Sequence, residues 1–277
     1  MDVSKRRITA SGLSGGDSMK AYVISMTSAN ERRRFQQTQL TRLSIDYEIC
    51  DAVTVKTISS NEIAKLRGNW ERPMSNVEVA CYLSHYRLWQ RVFDEDKPAL
   101  ILEDDAILSD GITAFIAELA DTPFNHISLE TRRRKKLLGK EPVAQVGSVQ
   151  LHRLYQDRTG AAAYLLSPMG ARKLLARHKE FGAALADAQI CRAYELESYQ
   201  TVPALAVQAD CAEHYGVEPP IATTSSILNS RLEVDYDESE VWRYKLRRVA
   251  SQLRMGRRQL SLLGRAKRTY VDFKSEV

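Results

Sequence analysis

Three consecutive carboxylates, Glu103, Asp104 and Asp105, follow directly on the apolar run Ala99-Leu100-Ile101-Leu102, and apolar residues resume at Ala106-Ile107-Leu108. An ionised carboxylate taken out of water is costly unless it is paired or bound to a metal. Two readings fit this pattern. One is a buried strand whose carboxyl end opens into a cleft, where the acids hold a divalent cation. The other is a strand followed by an acidic turn in solvent. A further acid, Asp187, stands alone in the small and apolar stretch 181–188. It reads either as a carboxylate placed to accept a proton or as a helix N-cap.

The elements that must position these acids alternate along the chain. Residues 20–26 and 47–55 predict strands, and Asn30 is expected to cap a helix to about residue 43, with Glu31 in its first turn. A short helix is expected over 61–66. Over 75–93, Ser75 and Glu78 form a capping-box pattern, and Val79, Leu83, Tyr86 and Val92 recur at helical spacing. The acidic strand, a helix over 111–119 and a strand over 126–129 follow. The basic, glycine-containing stretch 130–150 reads as a loop. Next come a strand over 160–166, a helix opening on Ser167-Pro168 and running to 177, a helical 187–193, and a strand over 202–208. This alternation implies an open, largely parallel α/β sheet. In such sheets ligands bind outside the carboxyl ends of the strands, where Glu103-Asp104-Asp105 falls. Three regions are expected: a flexible lead-in over 1–18, an α/β domain over 19–235 and a basic helical tail over 236–277.

The chain has 277 residues, 44% hydrophobic and 27% charged, which permits a sizeable core. No stretch approaches the roughly 20 apolar residues needed to span a bilayer, and residues 1–20 lack the apolar run of a secretory signal. Cys50, Cys81, Cys191 and Cys211 are widely spaced, which argues against a zinc site and fits reduced thiols in a cytosol. The net charge of +5 is uneven: ten Lys/Arg and no acid lie between Trp242 and Val271, and a second basic knot spans Arg132 to Lys136. Such segments imply an anionic partner, whether nucleic acid, lipid headgroups or a phosphorylated substrate. In the tail, Trp242, Leu246, Val249, Leu253, Leu260 and Leu263 fall on one helical stripe, with Gly256 at the missing position. A stripe of that kind beside many arginines lies on an anionic membrane face, or it packs on the protein itself. For nucleic acid, the basic segments lack the interleaved aromatics of a stacking platform.

Taken in order, the motifs resemble glycosyltransferase family 25, the lipooligosaccharide and lipopolysaccharide glycosyltransferases of Gram-negative bacteria. The matching pieces are Glu31-Arg32-Arg33 after the first strand, Asp51-Ala52 after the second, the helix Asn76 to Ser84-His85, and Leu102-Glu103-Asp104-Asp105. Gly160 to Tyr164, Gly170 to Leu174, Asp187, Pro203 to Gln208 and Ser226-Ile227 continue the series, so the similarity spans about 20–231. Asn76 stands where the family usually has glycine.

The resemblance implies a GT-A-type sheet flanked by helices that transfers a hexose, galactose or glucose, from a UDP-sugar to a lipopolysaccharide core sugar, with inversion and metal assistance. It implies Asp105 as a ligand of Mn²⁺ or Mg²⁺, His214 as a further ligand, and Asp104 as a ribose or second metal contact, with Glu103 supporting the site. Asp187 is implied as the base. Ser25, Arg32, Arg33, Asp51, Ala52, Ser84 and His85 are implied as nucleotide-sugar contacts. Such an enzyme would work from the cytoplasm on the inner face of the inner membrane. A transferase-like scaffold without activity is the competing reading, and the intact acids speak against it.

Overall fold

The computed structural model describes residues 19–119, 123–157, 160–222 and 241–276. The lead-in expected over 1–18 and the pair Ser226-Ile227 lie outside these.

Short runs rich in aliphatic and aromatic residues build the centre of the sheet. In β1 (Lys20–Ser25), Ala21 and Val23 face one way and Tyr22 the other. After α1 (Asn30–Arg42), β2 (Tyr47–Asp51) pairs parallel to β1. Next come α2 (Ser60–Arg67) and α3 (Asn76–Glu95), then β3 (Ala99–Glu103), parallel to β1 on its other side. The first four residues of β3 are buried, as a strand covered on both faces requires. The chain continues through β4 (Ala106–Leu108), α4 (Ile112–Leu119), β5 (His126–Ser128) and β6 (Glu130–Thr131). It then forms β7 (Lys136–Val146), β8 (Val149–Gln156), β9 (Ala163–Leu166), α5 (Pro168–Phe181) and α6 (Ala186–Arg192). The last elements are β10 (Tyr199–Val202), β11 (Ala206–Gln208), α7 (Val241–Ser261) and β12 (Ala266–Thr269).

The main sheet has nine strands in the order β12-β7-β8-β10-β5-β9-β3-β1-β2, and a small sheet has the order β4-β11-β6. Helices α3, α5 and α6 cover one face of the main sheet, packing Tyr82, Trp89, Leu174 and Ile190 on Tyr22, Ile101, Tyr164 and Leu166. Helices α1 and α4 cover the other, packing Leu40, Ile112 and Phe115 on Val23, Leu100, Leu102 and Leu165. Three strands of the main sheet, β3, β5 and β10, run on after a short break into the small sheet as β4, β6 and β11. Asp104-Asp105 fills the break between β3 and β4, directly after Glu103 at the end of β3.

The helix over 75–93 forms as expected. Ser75 Oγ accepts from the Glu78 amide at 3.2 Å, and Glu78 returns the bond to the Ser75 amide at 3.0 Å. Arg72 then clamps both carboxylate oxygens of Glu78, at 2.8 and 2.7 Å. Ser167 likewise caps α5 with Pro168 at its first position. Four expectations are corrected. Helix α1 is preceded by Ala29 with no side-chain cap, and Asn30 is its first residue. The stretch 130–150 is β6, β7 and the start of β8, not a loop. The main sheet is mixed rather than largely parallel, because β9 runs antiparallel to β3 and β5, and β7, β8 and β12 join antiparallel. The helix of the basic tail ends at Ser261, and β12 follows it as an edge strand on β7.

Candidate active site

Because β1, β2 and β3 are parallel, their carboxyl ends share one edge, where Ser25 pairs with Asp51 and Glu103 pairs with Ile24, one residue earlier. Ser25 Oγ donates to Asp104 Oδ2 at 2.7 Å, and Arg32 from α1 donates to Asp104 Oδ1 at 3.0 Å. The same Arg32 nitrogen lies 3.7 Å from Asp105 Oδ2. One guanidinium therefore sits between two adjacent carboxylates, where a cation is electrostatically required. The other oxygen of Asp105, Oδ1, is buried and has no hydrogen-bond partner. Burial raises the Asp105 carboxyl to about 7, with the charge of Glu103 adding to the rise and Arg32 opposing it.

Arg33 does different work. Its guanidinium donates to the carbonyls of Ser25 and Met26, both at 2.9 Å, and pairs with Asp51, so it ties the ends of β1 and β2 together. The Ala52 amide donates to the Ser25 carbonyl at 2.9 Å, extending that ladder. Ser84 is also committed, accepting from the Val53 amide at 2.9 Å and donating to the Ala80 carbonyl at 3.0 Å. These residues shape the loop that follows β2.

Glu103 is held from two sides. Trp89 Nε1 donates to the Tyr164 oxygen at 2.9 Å, leaving the Tyr164 hydroxyl proton for His85 Nδ1 at 3.0 Å, and His85 Nε2 in turn donates to Glu103 Oε1 at 3.2 Å. His85 is 1% exposed, so it acts through Glu103. From the small sheet, Gln208 Nε2 donates to Glu103 Oε2 at 3.3 Å, and Arg132 fixes Gln208 and Asp210. Burial works upward on Glu103, but the hydrogen bond from His85 and the charges of Arg132 and Arg32 hold its carboxyl below the ordinary range.

Asp187 enters from the other side. It is in the first turn of α6 but is not the cap, which is Leu185, and its Oδ1 accepts from the Ala188 amide at 2.7 Å. Cys81 on α3 lies where the two sides meet. Burial first, and then the charges of Glu103, Asp187 and Asp105, push its thiol well up. The charges of all three reach Cys81, which makes the surroundings of that thiol the candidate cleft.

His214 is not brought into that cleft as a ligand. It is exposed on the 3-10 turn Ala209–Tyr215, its ring against Tyr215 with centroids 4.9 Å apart. Among the described residues the one set of three possible ligand atoms within 4.8 Å of one another belongs to Cys81, His85 and Glu103. Both nitrogens of His85 are already engaged there and the thiol is held protonated, so that trio is read as packing.

The basic knot is also largely spent. Lys136 is 1% exposed, donating to the Glu130 carbonyl and Gln200 Oε1 at 2.8 and 2.6 Å and pairing with Asp157 at 2.6 Å. Lys135 stacks over Tyr270.

Sequence reasoning missed Gln36 and Gln39 on α1, whose amides hold the Ala106 carbonyl at 2.8 and 3.0 Å just beyond Asp105. Arg132 and Gln208 enter that reasoning only as parts of a basic knot and of a family motif, without a role at Glu103, and Glu130 and Asp157 do not enter it as site residues. The signal available was the i, i+3 spacing of Gln36 and Gln39 with Leu40 on one helical face.

A family model described as glycosyltransferase family 25 (LPS biosynthesis protein) matches residues 18–190. This chain belongs to glycosyltransferase family 25. It is an enzyme of the glycosyltransferase class. The family member is 28% identical over 199 residues to the lipooligosaccharide biosynthesis protein lic2B of Haemophilus influenzae, covering 68% of this chain and 75% of that one. It is 32% identical over 170 residues to the lacto-N-neotetraose biosynthesis glycosyltransferase LgtB of Neisseria meningitidis serogroup B, covering 57% and 62%. To the corresponding LgtE of Neisseria gonorrhoeae it is 28% identical over 277 residues, covering 92% and 93%.

Proposed function

We propose that this family 25 enzyme moves a hexose, galactose or glucose, from a UDP-sugar to a core sugar of lipooligosaccharide or lipopolysaccharide, with inversion, on a GT-A-type sheet. The observation that carries the reading is the orphaned, buried Oδ1 of Asp105, beside Asp104 at the carboxyl edge of the sheet. A carboxylate oxygen buried without a donor calls for a cation. Asp105, with Asp104 next to it, would hold Mn²⁺ or Mg²⁺, and the ion so bound supplies Lewis-acid neutralisation of the departing diphosphate.

The protein's own groups do the rest. Arg32, which bridges Asp104 and Asp105, swings to the diphosphate when the donor binds. Ser25 keeps Asp104 oriented toward the donor's ribose, and the Trp89–Tyr164–His85 chain keeps Glu103 from turning into the cleft. Asp187 takes the proton from the acceptor hydroxyl as the hexose leaves UDP. The Ala188 amide fixes the direction in which that carboxylate points.

Helix α7 supports a membrane-facing placement at the cytoplasmic leaflet. It docks through buried Tyr244 and through Arg247, which donates to the carbonyls of Gly68 and Trp70. Its apolar stripe is turned outward, with Trp242 60% and Leu253 69% exposed among exposed arginines. That arrangement fits an anionic lipid surface carrying a lipid-linked acceptor.

Calorimetry with UDP in the presence and absence of Mn²⁺ tests the donor half. Wild type is expected to bind UDP more tightly with the metal and Asp105→Asn to lose that gain. Asp187→Asn should keep donor binding and lose transfer by at least a hundredfold. Metal-independent UDP binding, or near-normal turnover in Asp187→Asn, would overturn the respective assignment.

A further inference from the structure

On α6, Ile190 and Cys191 follow Asp187 at three and four residues, and with Tyr194, which lies beyond the end of that helix, they form one wall of a groove. The four helical steps from Asp187 to Cys191 rise about 6 Å, and the chain turns out of the helix before Tyr194. At the far end the groove meets β8, the start of β5 and Arg258 of α7, and encloses a cavity of about 20 Å³.

Nitrogen donors gather there without acceptors. His126 is 1% exposed, and neither of its ring nitrogens has a partner. Arg258 Nε is buried and unpartnered, and its guanidinium lies 3.7 Å from the centre of the Tyr194 ring. Among the described residues no carboxylate lies within ion-pair distance of Arg258. The one acid lining the cavity, Asp157, is paired with Lys136 at 2.6 Å. A second arginine on the wall, Arg153, donates to the Ser198 carbonyl at 2.7 Å.

Leaving a guanidinium and an imidazole part-buried and unsatisfied is unfavourable, and folds keep such groups where a ligand completes them. A cavity of this size has no room for a sugar ring, so what enters is the charged end of a ligand. Arginine with its planar donors suits a phosphoryl or carboxylate oxygen. The distance from Asp187 puts that anion on a neighbouring unit of the acceptor, away from the hydroxyl that receives the hexose.

We propose that the cavity between α6, β8 and α7 is an acceptor subsite for an anionic substituent, with Arg258 and His126 as its donors. This rests on Asp187 marking the acceptor side of the cleft. The subsite also gives α7 a second task, since the helix that turns its apolar stripe outward supplies a wall of the groove.

The test uses the full-length protein. The imidazole ¹⁵N resonances of His126 are followed on adding inorganic phosphate, then acetate, with chloride as the ionic-strength control. Wild type should respond to an oxyanion and not to chloride, and the stronger of phosphate and acetate identifies the phosphoryl or the carboxylate source. Arg258→Gln should abolish the response, and Arg258→Lys should retain part of it. In transfer assays with matched acceptors bearing and lacking the anionic group, wild type should show at least a tenfold lower KM for the charged one. Arg258→Gln should erase that difference with kcat and UDP binding unchanged. No His126 response in wild type, or an equal response in Arg258→Gln, overturns the subsite alone. Loss of UDP binding by wild type would instead overturn the transferase assignment beneath it.

Discussion

Replacing Glu130 by Gln isolates the electrostatics behind the cleft. Glu130, Lys136 and Asp157 are all buried, one cation to two carboxyls. Asp157 takes the lysine at 2.6 Å, so Glu130 holds a proton. Burial raises its carboxyl to about 8, with Asp157 and Glu103 reinforcing the rise and Lys136 opposing it. In the unfolded chain the same group titrates near about 4.3. Between those values the folded protein carries a proton that the unfolded chain has lost, so stability is full below about pH 4 and declines as pH rises to about 8. The whole decline amounts to about 5 kcal/mol, of which about 4 falls between pH 5 and pH 8. Glutamine has the shape of the protonated acid and keeps an acceptor for the Ala162 amide, which donates to Glu130 Oε2 at 3.2 Å. Its stability therefore lacks this slope. At about 2–4 °C per kcal/mol for a chain of this size, Glu130→Gln should gain on wild type by about 10 °C in melting temperature from pH 5 to pH 8. Paired thermal melts in matched buffers measure the gap. A gap that stays constant or narrows with rising pH would refute the reasoning.

Other substitutions probe different parts of the fold. Gly170→Ala should destabilise by about 3 kcal/mol or more in urea unfolding, because its Cβ would stand 2.1 Å from the Asn125 carbonyl oxygen. Tyr164→Phe should cost about 2 kcal/mol by the same measurement, since it strands Trp89 Nε1 and His85 Nδ1 in the core. Leu246→Glu combined with Leu253→Glu should leave the melting temperature within about 1 °C, both side chains being exposed. The same double variant should cut flotation with anionic vesicles several-fold, and undiminished flotation would remove the membrane assignment of α7.

The parts legible in the sequence were those with local signals. The capping box of α3, the Ser-Pro start of α5 and the apolar-then-acidic β3 each carry their cause within a few residues. Strand β7 was not legible, because its register on β8 shifts between Leu137 and Leu138, again before Pro142 and again before Ala144. Such irregularities erase a period of two. Its buried Lys136 reads as solvent-facing until Asp157 and Gln200 are seen around it. The small sheet escaped as a sheet: the strand expected over 202–208 splits into the end of β10 and β11, and the two- and three-residue strands β6 and β4 leave no pattern, although that sheet delivers Gln208 to Glu103. Of the site, the acids were readable by type, but their division of labour was not. Arg33 and Ser84 tie together the backbone around the end of β2, Arg33 also pairing with Asp51, while Arg32, one residue earlier on the helix, faces Asp104 and Asp105.

Strand β12 closes the edge of the nine-stranded sheet on β7, about 130 residues earlier in the chain, and Val271 and Phe273 behind it are buried. The sheet is therefore completed only after about 130 further residues have been synthesised. Until they emerge, the long β7–β8 hairpin presents an unpaired edge, the kind of surface on which nascent chains find one another. A protein shortened to remove α7 would carry that open edge permanently. Its failure to bind lipid would then report a sticky sheet as readily as a missing anchor, so the role of α7 is separable only by changes that leave the final strand in place.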